Sequence, residues 1–459
     1  MSAEVVPMAA LSVLAPSKGF ARQRQDAKLG KHLRSARGDI RPTGARSANR
    51  VRQKQMIRAF GVFLCWAMVA APASAQNADL GRLLAAPIRI ERATPVTAVP
   101  LEPRGNILFV QASANGETSE FILDTGSPTV LSREFAESLG LEVVAQNTGR
   151  DANGTEITMD FAILDTLTLG TAVFHDVPVL IHDFSGLDMG ACLVSAGILG
   201  SELFPGSAWR VDTEARQLTF AASLDEMAPI NPVVTTHLYD FGYPHAPIID
   251  YSVGDVSDKA LFDTGNSAWV TLFSEVAETA SVQQEIPRDT IVNGTGFEGE
   301  SAGGRGEAGA LTWFTLQNFR LGHDSLGAVR ATSRAVPPTL VGYGVLSSYV
   351  ATMDYPGEQF LLEVRNVPAS AREEPGYSLA LIGDQVEVVQ LFDGSAPANA
   401  GLRLGDQVTA LSGQSMIVTE ENPKCSVANY LIESFDGSQA ADLTVVRDGI
   451  TSTISIPQH

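Results

Sequence analysis

Two near-copies of one six-residue stretch constrain this chain more than anything else in it: Ile122-Leu123-Asp124-Thr125-Gly126-Ser127 and Leu261-Phe262-Asp263-Thr264-Gly265-Asn266. One Asp-Thr-Gly arises by chance in a chain of this length with a probability on the order of 0.1. Two copies with matched surroundings carry far more information. Each follows an apolar, strand-like run, and each leads into a second apolar stretch and a short helical pattern opened by a serine cap, Ser132 in one case and Ser274 in the other. Each is followed by an apolar-apolar-Gly element, Ile198-Leu199-Gly200 and Leu340-Val341-Gly342. Asp124 and Gly200 lie 76 positions apart, Asp263 and Gly342 79. That agreement marks a duplicated unit.

The rest of the chain fits around the two copies. Asn115-Gly116 joins Ile107–Gln111 to Phe121–Leu123 as a hairpin ahead of the first Asp, and Gly254-Asp255 does the same ahead of the second. Leu141–Val144 reads as apolar strand, Asn147–Thr155 as a polar loop, and 76–104 as an irregular lead-in rich in Pro and Ala. Asn153-Gly154-Thr155 and Asn293-Gly294-Thr295 read as turns rather than glycosylation acceptors. Many short strands with turn signals and few long helical stretches make the chain mostly β.

Charge divides the chain. Residues 1–75 hold thirteen Lys/Arg against three acids, so within a net charge of −20 the remainder is strongly acidic. Such a body is repelled by phosphate backbones, which excludes nucleic acid as a partner. Within the basic leader, Met56-Ile57-Arg58, the apolar run to Ala71 and Ala73-Ser74-Ala75 read as a secretory signal peptide over 56–75, with 1–55 a basic extension, disordered or read from a start placed too early. The run is too short for a membrane span. The expected location is periplasmic or secreted.

Cys192 and Cys425, far apart in separate regions, read as buried inert thiols. Seven scattered His lack ligand spacing, so no metal site is expected, and no cofactor fingerprint is present.

On its two Asp-Thr-Gly loops and two apolar-apolar-Gly elements, the chain resembles the aspartic proteases, closest to the retropepsin-like, two-lobe form with a PDZ domain behind it. The resemblance implies a bilobal β fold with lobes at 105–228 and 229–366. It also implies a catalytic dyad of Asp124 and Asp263, a mutual grip of Thr125 and Thr264, and close approach at Gly126 and Gly265. Gly200 and Gly342 would pack behind the loops, and the Gly-rich stretches around Asn153-Gly154 and Gly294 to Gly309 would be flaps. Ser127 is a usual partner for the outer carboxylate oxygen; Asn266 replaces the Ser or Ala expected in the second loop, and its amide can donate the same bond.

Residues 375–459 resemble a PDZ-like α+β domain: strand Val386–Val389, a Pro-bearing loop, a short helix at Ala398–Ala400, a strand before Leu411, a helical pattern over Cys425–Ile432 and a last hairpin across Asp448-Gly449. Its carboxylate-binding loop would be Gly376-Tyr377-Ser378-Leu379, with Ser378 where glycine is expected.

The function implied is an aspartic endopeptidase, monomeric because one chain supplies both Asp residues, acting on a peptide or protein substrate, with a peptide ligand for the PDZ-like region. The rival reading is a catalytically silent protease fold that serves as a binding scaffold.

Overall fold

The computed structural model describes Leu84 and residues 86–366, 376–435 and 440–457. The expected basic extension at 1–55 and signal peptide at 56–75 lie outside them. The described chain is mostly β, built as two lobes of matching strand order, a sheet that joins them, and a C-terminal unit with its own core.

In the first lobe, Ile107–Ala114 and Glu117–Leu123 form the hairpin that delivers Asp124; in the second, Ile248–Val253 and Val256–Asp263 deliver Asp263. Asn115 takes a left-handed backbone at the first turn and Gly254 at the second, as tight hairpins require. A long antiparallel pair completes each lobe, Glu156–Leu169 with Ala172–His182 and Gly309–Leu321 with Asp324–Arg334. Ser132 caps the helix Arg133–Ser138 through a bond from the Phe135 N–H. Its counterpart differs from expectation: the helix Ser274–Ala277 starts at Ser274, with Phe273 in the cap position and no side-chain cap bond.

Antiparallel strands from both lobes make the joining sheet, in the order Val96–Pro100, Gln217–Ala221, Ala208–Asp212, Tyr349–Asp354, Gln359–Val364, Val234–Tyr239. Within the described part of the lead-in, where irregular chain was expected, Val96–Pro100 is thus strand. Pro95 and Pro100 sit beside and at the ends of this edge strand, where a missing N–H costs no ladder bond. Arg89–Arg92 and Glu102–Arg104 add further strands to the first lobe. The main core runs through both lobes and centres on Trp209, which stacks on Phe220 at 4.1 Å between centroids and lies edge-on to Phe204 at 5.2 Å. Aromatic pairs of this kind add about 0.5–1.5 kcal/mol beyond area burial.

Two other expectations change. Leu141–Val144 is not strand; the strand is Ala145–Arg150, whose polar sequence hid it and whose pairing with Glu156–Phe161 defines it. Asn293-Gly294 is not a turn but lies inside the strand Val292–Gly296.

In the C-terminal unit, strands Tyr377–Ile382, Gln385–Phe392, Gln407–Leu411, Ala441–Arg447 and Ile450–Ile456 surround the helix Lys424–Glu433 over a separate apolar cluster. Its short helix runs Ala396–Asn399, capped by Ser395. Gly376 has a left-handed backbone, but Tyr377, Ser378 and Leu379 belong to a strand rather than a loop, with Tyr377 buried and the Ser378 hydroxyl donating to Gln390 Oε1 at 2.9 Å.

This unit is fastened to both lobes. Gln385–Phe392 pairs with Val292–Gly296 of the second lobe, and a Cβ on Gly294 would stand 2.6 Å from the Phe392 ring, so glycine permits the approach. Cys192 and Cys425 form a disulfide to the first lobe, correcting the inert-thiol expectation. Their sequence separation of 233 gave no hint, because the strand pairing to the second lobe is what brings the helix Lys424–Glu433 beside the helix Gly190–Leu193.

Candidate active site

The two Asp loops meet between the lobes in a two-fold arrangement. The Thr125 N–H donates to Thr264 Oγ1 at 3.1 Å and the Thr264 N–H to Thr125 Oγ1 at 3.0 Å. Each hydroxyl then donates onward across the interface, Thr125 to the Phe262 carbonyl at 2.7 Å and Thr264 to the Leu123 carbonyl at 3.2 Å. All four bonds are buried, and each net bond of this kind is worth about 1 kcal/mol, with a larger cost if one partner is lost. Together these four bonds tie the two loops to each other in register.

Closeness of the carboxyls follows. A Cβ on Gly126 would stand 2.5 Å from Asp263 Oδ1, and one on Gly265 would stand 2.5 Å from Asp124 Oδ2. Each Asp therefore packs over the glycine of the other loop. The Gly126 N–H donates to Asp124 Oδ1 and the Gly265 N–H to Asp263 Oδ1, both at 2.9 Å. The two carboxyls are therefore close enough for the charge on Asp263 to act on Asp124.

Behind the loops, Gly197–Leu199 runs parallel to Phe121–Leu123, and Thr339–Gly342 parallel to Ala260–Asp263. A Cβ on Gly200 would meet the Pro128 carbonyl carbon at 2.2 Å and Ser127 O at 2.3 Å; one on Gly342 would meet Ala268 O at 2.3 Å. These contacts are with backbone, which cannot swing aside, so both positions require glycine.

Ser127 and Asn266 serve their own loops instead of the outer carboxylate oxygens. The Ser127 hydroxyl donates to the Pro128 carbonyl at 2.8 Å. Asn266 donates from Nδ2 to Thr271 Oγ1 at 2.9 Å and accepts from the Ala268 N–H through Oδ1 at 3.2 Å. The second loop is one residue longer between its Asp and the following Val270 than the first is before Val130. An amide, with both a donor and an acceptor, can brace that longer turn, where a hydroxyl is too short.

Burial pushes the Asp124 carboxyl well above the usual range, and the neighbouring Asp263 charge pushes it further, against the opposing Gly126 N–H. Burial also raises Asp263, but the Gly265 N–H and the Arg334 guanidinium pull it back. Two such groups hold one proton between them and titrate as a unit.

Residues 110–203 match the aspartyl-protease family. The match takes in the first Asp loop and the apolar-apolar-Gly element behind it. No curated protein matches the chain. Among solved structures it is similar to the aspartic proteinase from Irpex lacteus, with 13% identity and a TM-score of 0.37 over 60% of this chain and 99% of that one.

The dyad lies in a cavity of about 560 Å³ whose lining includes the loop Arg150–Asn153 and residues Glu298–Ala302 from the two Gly-rich stretches. These segments meet across the cleft. Asp151, buried in the first, accepts from the Ser301 hydroxyl and from the Gly303 N–H at 2.9 Å in the second. Glu300 reaches the first lobe and accepts the N–H groups of Asp188, Met189 and Gly190 at 2.6, 3.0 and 2.8 Å, beside an Arg305–Asp188 ion pair at 3.2 Å. Cys192 follows directly on this segment. The cleft cover, the first lobe and the C-terminal unit thus form one connected assembly.

Sequence reasoning missed two charged residues here. Arg334 carries no motif. Glu202, next but one after Gly200, is buried behind the first loop and accepts the Thr129 N–H at 2.9 Å through Oε2. Burial pushes its carboxyl up to about 7. Its position after the apolar-apolar-Gly element was the available signal. Among the described residues no group of three or more His, Cys, Asp or Glu could hold a metal ion, and no helix is long and apolar enough to cross a membrane.

Proposed function

We propose that the protein is an aspartic endopeptidase. The observation that carries the reading is the apposition of Asp124 and Asp263, each packed over the glycine of the other's loop. The ionised member of the pair takes a proton from a water bound between the carboxyls while the protonated member gives its proton to the scissile carbonyl oxygen. The water oxygen bonds the carbonyl carbon and a tetrahedral diol forms. As the C–N bond breaks, the carboxyl that took the water's proton passes it to the leaving nitrogen and a diol hydroxyl returns one to the other carboxylate, restoring the starting state. General acid–base catalysis of this kind contributes about 10²–10⁴-fold.

The C-terminal unit is proposed to dock peptide segments in the PDZ manner. Its strand Tyr377–Ile382 has a ladder partner on one side only among the described residues, which suits strand addition. A periplasmic or secreted location is proposed from the signal-like segment together with the Cys192–Cys425 disulfide, a bond that persists in oxidising compartments.

The test is cleavage of fluorogenic peptides at acidic to neutral pH. Turnover blocked by a statine-type transition-state mimic and lost in both Asp124→Asn and Asp263→Asn supports the reading. Turnover indifferent to both substitutions overturns it.

A further inference from the structure

Arg334 is the last residue of the strand Asp324–Arg334 and is 7% exposed, yet it lines the cleft that holds the dyad. A guanidinium carries five N–H donors. Among the described residues this one makes a single hydrogen bond, from Nη2 to the Ala152 carbonyl at 2.6 Å, and no ion pair within 4.0 Å. Its charged neighbours are Asp263 and the exposed Glu298, which act on it through space. A buried charge without a bonded counter-ion is costly, and a planar fork of unused donors at a cleft wall is the geometry that takes a carboxylate in two parallel bonds.

The two lobes line the cleft unequally. The first contributes Ile122, Val130, Ile157, Met159, Phe184 and Ile198, whereas the second sets Thr332, Ser333 and Arg334 beside the apolar Leu311, Trp313 and Leu340. The other cation at the cleft, Arg150, is exposed and spends Nη1 on the Gly154 carbonyl of its own turn at 2.7 Å. The cleft therefore grips the two sides of a bound chain by unlike chemistry.

Resting on the reading of this cleft as a peptide site, we propose that Arg334 binds a substrate carboxylate on the side of the cut bond that lies over the second lobe, so that the preferred substrates are acidic there and apolar on the other side. The carboxylate is either an acidic side chain or the free end of the peptide chain. In the second case the enzyme trims short pieces from peptide termini.

The probes are reduced-amide peptides built around a leucine at the uncleavable bond, with one Glu or its neutral match Gln walked through the neighbouring positions on each side, each made with a free-acid and an amide C-terminus. Dissociation constants are read on the full chain. A charge-assisted pair predicts that at one position Glu binds about 10-fold or more tightly than Gln, or that the free acid binds by that margin over the amide, the first identifying a side-chain and the second a terminal carboxylate. In Arg334→Gln the ratio collapses to near one, and in Arg334→Lys part of it remains. Because the ratio is taken within each protein, loosening of the Ala152 contact does not imitate the result; an absent wild-type preference is decisive by itself, and Arg334→Lys tests the assignment should Arg334→Gln fail to fold. Equal affinities in the wild type, no binding of any probe, or a preference that survives Arg334→Gln overturns the proposal. Binding with the acidic preference but no cleavage of the matching amide peptides leaves it standing and removes the endopeptidase reading instead.

Discussion

Gly265 lies directly beneath the Asp124 carboxyl, so near that a Cβ added to it would stand 2.5 Å from Oδ2. The atom it would strike is the end of a side chain, which can move, and moving it disturbs its apposition to Asp263. Gly265→Ala is therefore expected to fold with little loss of stability while lowering kcat by about 10²-fold, the scale of a reacting group displaced by an ångström. Gly309→Ala, where a Cβ meets nothing within 4 Å, is the control and keeps kcat. Peptide hydrolysis together with thermal unfolding separates the two effects; equal kcat in both variants contradicts the geometry.

The duplication was legible in the sequence because the same local chemistry occurs twice: Asp-Thr-Gly after a hairpin, and apolar-apolar-Gly behind it. Those residues act on their neighbours in space through backbone geometry, which short motifs record. What the sequence hid depends on distant partners. Val96–Pro100 is strand because Gln217–Ala221 pairs with it, and Arg334 enters the cleft only because the long hairpin ends there. Asn266 departs from the family pattern, and its reason, a turn one residue longer, shows only in its bonds to Thr271 and Ala268.

The Cys192–Cys425 bond closes a loop across most of the described chain. Removing it in Cys192→Ser with Cys425→Ser is expected to lower stability by about 2–4 kcal/mol. Denaturant unfolding measures this, and reductant should lower the wild-type midpoint toward that of the double variant while leaving the variant unmoved. Coincident midpoints without reductant contradict a stabilising role.

Glu202 gives a pH signature. Its folded-state value of about 7 lies above the unfolded carboxyl range, so the folded protein keeps a proton that the unfolded chain has released. Stability from this group is full below the unfolded value and is lost as pH rises through about 7. Glu202→Gln, which cannot ionise and can still accept the Thr129 N–H, should flatten that fall, gaining up to about 3 kcal/mol over the wild type above neutrality. Unfolding curves across the range test it; parallel pH profiles for the two proteins count against a buried, protonated Glu202.

The central claim is that Asp124 and Asp263 share one proton, and titration of isotope-labelled aspartate carboxyls by NMR tests it most directly. One carboxyl of the wild type should stay protonated well above the usual range of about 4, and in Asp263→Asn the remaining Asp124 should titrate lower, in a single step freed from its neighbour's charge. Two carboxyls titrating independently near the usual value, each indifferent to replacement of the other, would contradict the account.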